Sequence, residues 1–164
     1  MPLEIERRFL ARADAALLAR ARAMKLRQAY LTVRDLTTVR IRQEGDVWVL
    51  AVKADATGIA RHEIEVEVPA EDGRVLFELA PGGSVEKTRH TVGGWEIDVY
   101  EGRFEGLIVA EAELDAEDEP LPEPPAGLTL VREITAERGL TSRGLAGLGE
   151  SAARALVARL MADG

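Results

Sequence analysis

The chain of 164 residues has the length of one domain and is long enough to bury a core without covalent staples. Hydrophobic residues at 46% and charged residues at 30% make a globular composition rather than a disordered one. The absence of cysteine, and the presence of only His62 and His90, exclude disulfides, thiolate metal sites, cysteine nucleophiles and His-rich zinc sites; the balance of 21 Lys and Arg against 29 Asp and Glu, net −8, lacks the basic excess of a duplex-binding protein.

In chain order, period-2 alternation predicts strands over 2–10, 26–34, 37–43, 46–53, 59–68, 85–92, 95–102 and 107–115, since alternate residues of a strand face opposite sides. Between them, Asp14 is a good N-cap for a helix over 14–24, and 71–79 reads as a second helix with Val75, Leu76 and Leu79 on one side. The Gly93-Gly94 pair marks a hairpin. The four prolines of 117–127, EDEPLPEPPAG, predict an exposed loop. A short helix over 142–148 and a final helix over 151–161 close the chain. The fold expected is mainly β (α+β): an eight-stranded antiparallel closed barrel with a few peripheral helices. MPLEIERRFL carries charge where a signal peptide places its apolar core, and no apolar run reaches the roughly 18 residues of a membrane span. A soluble cytoplasmic protein without a membrane partner is therefore expected.

The positions of the charges say more than their sum. Glu4, Glu6 and Arg8 share one strand face, and Leu3, Ile5 and Phe9 the other, with Arg7 as the exception. Arg40 and Arg42, Glu63, Glu65 and Glu67, Lys87 and Arg89, Glu96 and Asp98, and Glu111 and Glu113 repeat the pattern. Either these faces point to water around an apolar centre, or they line a wet lumen while helices cover the apolar outside. Two features favour the lumen. The helices need an apolar sheet surface to sit on. Like charges on one strand face repel unless a guest between the strands binds them. A polyanion with divalent metal is such a guest: Arg forks grip phosphate, and Glu-x-Glu pairs supply oxygen ligands. Trp48, Trp95, His62 and His90 alternate away from those faces and read as outward packing or surface residues.

Together these blocks resemble the CYTH family, the triphosphate tunnel metalloenzymes. The signature Glu-x-Glu-x-Lys appears as Glu4, Glu6 and Arg8. LRQAYL at 26–31, VRIRQ at 39–43, Lys53, RHEIE at 61–65, VEKTR at 85–89, EIDVY at 96–100, VAEAEL at 109–114 and REIT at 132–135 follow in order. The resemblance spans roughly 2–142, leaving 143–164 as a helical tail of a single domain over 1–164.

It implies a tunnel that binds a triphosphate-containing small molecule with Mg²⁺ or Mn²⁺ and hydrolyses inorganic triphosphate. By that likeness Glu4, Glu6, Asp98, Glu111 and Glu113 hold metal, with Glu4, Glu6, Glu111 and Glu113 central to catalysis. Arg8, Arg40, Arg42, Lys53, Lys87, Arg89 and Arg138 grip phosphate, and Glu63 and Glu65 orient the basic residues. Family members acting on nucleoside or thiamine triphosphates or cyclising ATP, a non-catalytic polyphosphate binder, and an acidic barrel without a ligand are the alternatives. The last helix could cap the barrel or support a homodimer. Two departures stand out. Arg8 replaces the signature lysine, and Gly139, Leu140 and Ser142 stand near a basic run, a tyrosine and an asparagine of the family pattern.

Overall fold

In a computed structural model, which describes residues 3–34, 37–55 and 59–162, nine strands are joined in antiparallel order. They are β1 (Leu3–Ala13), β2 (Arg22–Arg34), β3 (Thr37–Glu44), β4 (Val47–Asp55), β5 (Ala60–Val68), β6 (Ser84–Val92), β7 (Trp95–Tyr100), β8 (Ile108–Leu114) and β9 (Leu128–Glu133). The sheet runs β5-β4-β3-β2-β6-β7-β8-β1-β9, and β5 also pairs with β1. The first eight strands thus close into a barrel, which leaves them no open edge.

Closure depends on β1 serving two partners along one edge. Leu3, Glu4 and Ile5 pair with β5, and Phe9 to Ala13 pair with β9, with a register shift between Leu10 and Ala11. Its other edge pairs with β8 from Ile5 to Leu10. β9 was not expected, although Leu128 and Leu130 alternate with Thr129 and Val131. The expected start of β1 at residue 2 lies outside the described residues.

The helices are α1 (Ala15–Arg20), α2 (Ala70–Leu79), α3 (Ser142–Ala146) and α4 (Glu150–Ala162), with short 3-10 turns at Gly102–Phe104 and Arg138–Leu140. Asp14 caps α1 as expected, accepting from the Leu17 amide. The helix does not continue to residue 24: Ala21 is extended, and β2 begins at Arg22, paired with β6 from Arg22↔Thr91 onward. Interstrand pairing there overrides the helix preference of the Ala- and Leu-rich sequence. No helix among the described residues is long and apolar enough to cross a membrane.

Three apolar clusters lie outside the cylinder. Ala29, Ile41 and Trp48 sit beneath Leu76 and Phe77 of α2. Phe9, Trp95, Ile97 and Ala110 sit beneath Leu17 of α1, where the 117–127 loop supplies Leu121 and the Pro122 carbonyl that accepts from Trp95 Nε1 at 3.2 Å. Leu10, Phe104, Leu107, Ile134, Leu145 and Val157 bind α3 and α4 to the barrel. Gly73 lets α2 approach this surface, since a Cβ there would fall 2.4 Å from the Trp48 ring. Both tryptophans are outward and buried, as expected. His90 also faces outward but is half-buried, with Nδ1 3.2 Å from the Leu18 carbonyl of the α1 cover. The apolar side of the barrel wall is therefore its outside.

Candidate active site

The residues left facing inward surround a cavity of about 690 Å³. Nine Lys or Arg and seven Glu line it, a formal +2 in a chain whose total is −8. Strand alternation explains the segregation. Glu4, Glu6 and Arg8 come from β1; Arg40 and Arg42 from β3; Lys53 from β4; Arg61, Glu63 and Glu65 from β5; Lys87 and Arg89 from β6; Glu96 from β7; and Glu111 and Glu113 from β8.

The barrel register sets carboxylates directly opposite one another, Glu6 against Glu113 and Glu96 against Glu111. Like charges so placed are destabilising. Burial, with Glu111 and Glu4 nearby, raises the Glu6 carboxyl despite Lys53 and Arg8. Burial also raises Glu96, with Glu111 and Asp98 adding to it against Arg89. Glu111 behaves differently. Burial would push it up, but Arg89 at 2.9 Å and Arg8 at 3.0 Å hold it below the usual carboxylate range. Glu4 is likewise lowered, burial being outweighed by Lys53 at 2.6 Å. Glu63 is pushed up to about 7 by burial and by Glu4, against Lys53 and Arg40. Glu113 is exposed at the rim.

The cations are held by carboxylates. Arg40 reaches Glu63 at 3.3 Å, Arg42 reaches Glu65 at 3.1 Å, and Lys53 lies between Glu4 and Glu63. Their anchoring is incomplete: Arg8 Nη1, Arg40 Nε and Arg42 Nε are buried without a hydrogen-bond partner in the protein. Each such donor costs about 1–3 kcal/mol when left unpaired.

Asp98, expected beside the other carboxylates as a metal ligand, is not on the cavity wall. It has no exposure, accepts from Arg89 Nε at 2.6 Å and Nη2 at 2.7 Å, and is paired with Lys87. Glu111 is likewise bonded through both oxygens but lines the cavity, whereas Asp98 lies beneath Lys87 and Arg89 and off the wall, which suits it to aiming them.

At one end of the cavity the sequence points to Arg138, but not to Thr141 or Arg143 as lining residues. The 138–146 segment lies across that end, bringing Arg138, Thr141, Ser142 and Arg143 to the wall. Arg8 Nη2 donates to the Leu140 carbonyl at 2.7 Å, Tyr100 and Ser142 share a hydrogen bond of 2.8 Å, and Arg103 donates to the Ala146 and Leu148 carbonyls. Gln28 and Tyr30 of β2 also reach the wall, Gln28 Nε2 donating to the Tyr30 hydroxyl at 2.7 Å. Glu96, also on the wall, carried an alternation signal in the sequence. The segment residues reach the wall by tertiary docking, which strand periodicity does not encode.

The sequence pattern of the CYTH domain matches residues 2–142. The chain belongs to the CYTH family. Two curated relatives are named inorganic triphosphatases. One, from Acetivibrio thermocellus, is 33% identical over 142 residues, covering 84% of this chain and 88% of that protein. The other, from Nitrosomonas europaea, is 34% identical over 123 residues, covering 70% and 78%. A solved structure described as an inorganic triphosphatase superposes with a TM-score of 0.62 at 29% identity, over 89% of this chain and 99% of the other. A protein from Pyrococcus horikoshii, 18% identical, shares the fold with a TM-score of 0.53, over 70% and 80%.

CYTH membership implies a divalent cation, and the residues fit one. Glu6 is half-buried against the like charges of Glu4 and Glu111, an arrangement that a hard cation among carboxylate oxygens relieves. Among the described residues no three such side chains already stand gathered as a ligand set, so the fit rests on the donor chemistry.

Proposed function

We propose that this CYTH protein hydrolyses inorganic triphosphate to orthophosphate and pyrophosphate with Mg²⁺ or Mn²⁺. The observation that carries the reading is the trio of buried, unpartnered guanidinium nitrogens on Arg8, Arg40 and Arg42 within one cavity. Phosphate oxygens supply the acceptors they lack. The names of the relatives point to the same substrate.

Arg40 and Arg42, steadied by Glu63 and Glu65, bind the phosphate chain from one wall. Lys87 and Arg89, aimed by Asp98, bind it from another, and Arg8, Lys53 and Arg138 complete the grip. Phosphoryl transfer asks mainly for positioning and charge neutralisation, which fixed cations lining the lumen provide. Glu4, Glu6, Glu111 and Glu113 would hold the metal. When bound, that ion neutralises phosphate oxygens and acidifies water. A water oxygen attacks a terminal phosphorus, the bond from that phosphorus to its bridging oxygen breaks, and pyrophosphate leaves with the bonding pair. The protons of the attacking water pass to solvent and to the released phosphates.

An inorganic substrate is favoured over a nucleotide because both tryptophans are buried on the outside, leaving Tyr30 as the single aromatic residue among those lining the cavity. Phosphate release from tripolyphosphate, ATP and thiamine triphosphate, each with Mg²⁺ and with Mn²⁺, tests the reading. Turnover of tripolyphosphate above a Glu4→Ala/Glu6→Ala background is expected. Release no greater than that background with either metal would refute the hydrolase, and preference for ATP or thiamine triphosphate would refute the substrate.

A further inference from the structure

We infer that Arg143, carried on the segment across the end of the cavity and aimed by Thr38, is a substrate-binding residue that contacts the inner end of the phosphate chain. The inference rests on the triphosphate reading and adds a specificity residue to it.

The first support is the placement of the segment. Thr141 caps α3, accepting from the Gly144 amide at 3.1 Å. Leu140 is tied to Arg8, Ser142 to Tyr100, and Ala146 to Arg103. Gly83 closes the fit: its φ is +76°, and a Cβ there would fall 2.1 Å from the Ala146 carbonyl oxygen. A side chain on such an anchored turn projects into the cavity at small entropic cost.

The second support is what holds the guanidinium. Arg143 Nη1 donates to Thr38 Oγ1 at 3.1 Å. Thr38 sits opposite Lys53 in the β3–β4 register and lines the cavity on the same strand as Arg40 and Arg42. Those three cations lean on carboxylates, whereas the hydroxyl that holds Arg143 is neutral. Thr38 fixes direction without cancelling charge, which leaves an Arg fork ready for a phosphate. Arg143 and Thr38 both line the cavity beside the segment that carries Arg138 and Ser142, and in this inference that fork meets the phosphate at the docked end of the chain.

Arg143→Gln, Thr38→Val and Thr38→Ser in the full chain test this, using tripolyphosphate with Mg²⁺. Arg143→Gln should raise KM about tenfold, the worth of one charge-assisted contact, with kcat falling less than KM rises. The dependence of tripolyphosphate Kd on salt should become shallower. Thr38→Val should raise KM by a smaller factor, and Thr38→Ser, which keeps the hydroxyl, should restore it. An Arg143→Gln protein with wild-type KM and Kd would overturn the inference, as would a lowered Tm with KM unchanged, which is the signature of a tie between α3 and β3 alone. Calorimetric Kd values separate the two readings. If wild type binds no tripolyphosphate, the function reading fails and this inference with it. If wild type binds and Arg143→Gln binds equally, only the Arg143 role fails.

Discussion

Replacing Asp98 by Asn separates an aiming role from metal ligation. Asp98 is fully buried, its partner Lys87 is almost as deep with 4% side-chain exposure, and Arg89 bonds it through two nitrogens. Asn keeps the size and one acceptor but removes the counter-charge of two buried cations. Removing one partner of a buried pair costs about 3–5 kcal/mol, and the retained acceptor places Asn near 3. For a domain of this size each kcal/mol lowers Tm by about 2–4 °C, giving a fall of about 6–12 °C. Since Asp98 does not reach the cavity, the Mg²⁺ concentration for half-maximal activity should hold within about threefold, while KM for tripolyphosphate rises as Lys87 and Arg89 lose their aim. Thermal denaturation and a two-dimensional titration of metal against substrate measure both. An unchanged Tm would refute the burial argument. A hundredfold loss of apparent Mg²⁺ affinity with KM unchanged would make Asp98 a metal ligand after all.

Glu6→Gln should abolish most activity yet raise the metal-free Tm by a few degrees, because it removes a half-buried carboxylate raised by desolvation, Glu111 and Glu4; a fall in Tm would contradict that. The Tm gain on adding Mg²⁺ should be smaller in Glu6→Gln than in wild type. Outside the barrel, Arg7 bonds Glu133 at 2.7 Å and lowers its carboxyl. A depressed carboxylate stabilises above its unfolded-state pKa, and that stability fades as pH falls through the folded-state value. Both groups are about a third or more exposed, so wild type should exceed Glu133→Gln by less than about 1 kcal/mol at pH 7, with the difference vanishing in acid; a difference that grows on acidification would reverse the sign. Gly83→Ala should cost more than about 1 kcal/mol through its left-handed backbone and the Ala146 clash, and should hasten amide exchange in 138–146; unchanged exchange there would mean the segment is not held through Gly83.

Much of the fold was legible because one physical rule, alternation on a strand, writes both the barrel and its lining. The same period that hid Trp48 and Trp95 on the outside sent Glu4, Arg42 and Glu111 inward. The misreadings have local causes. Residues 21–24 look helical in composition, yet pairing with β6 claims them from Arg22 onward. β9 is short and pairs with the half of β1 that β5 does not use, an arrangement visible only once the barrel has closed. Asp98 alternates with its neighbours like Glu96, and that alternation does not carry its depth beneath Lys87 and Arg89, which is a property of the closed barrel rather than a misreading. Thr38, Ser142 and Arg143 meet through docking of 138–146, and sequence spacing gives no hint of that meeting. Lys versus Arg at position 8 could be noted from sequence, but its consequence could not: the longer fork spans Glu111 and the Leu140 carbonyl at once.

The most direct measurement is a crystal structure with tripolyphosphate and Mn²⁺, using anomalous scattering to find the metal. Phosphate oxygens should lie inside the barrel against Arg8 Nη1, Arg40 Nε and Arg42 Nε, with the anomalous peak beside Glu4, Glu6 and Glu111. Phosphate bound only on the outer surface, or a lumen that stays free of both anion and metal at saturating concentrations, would contradict the account.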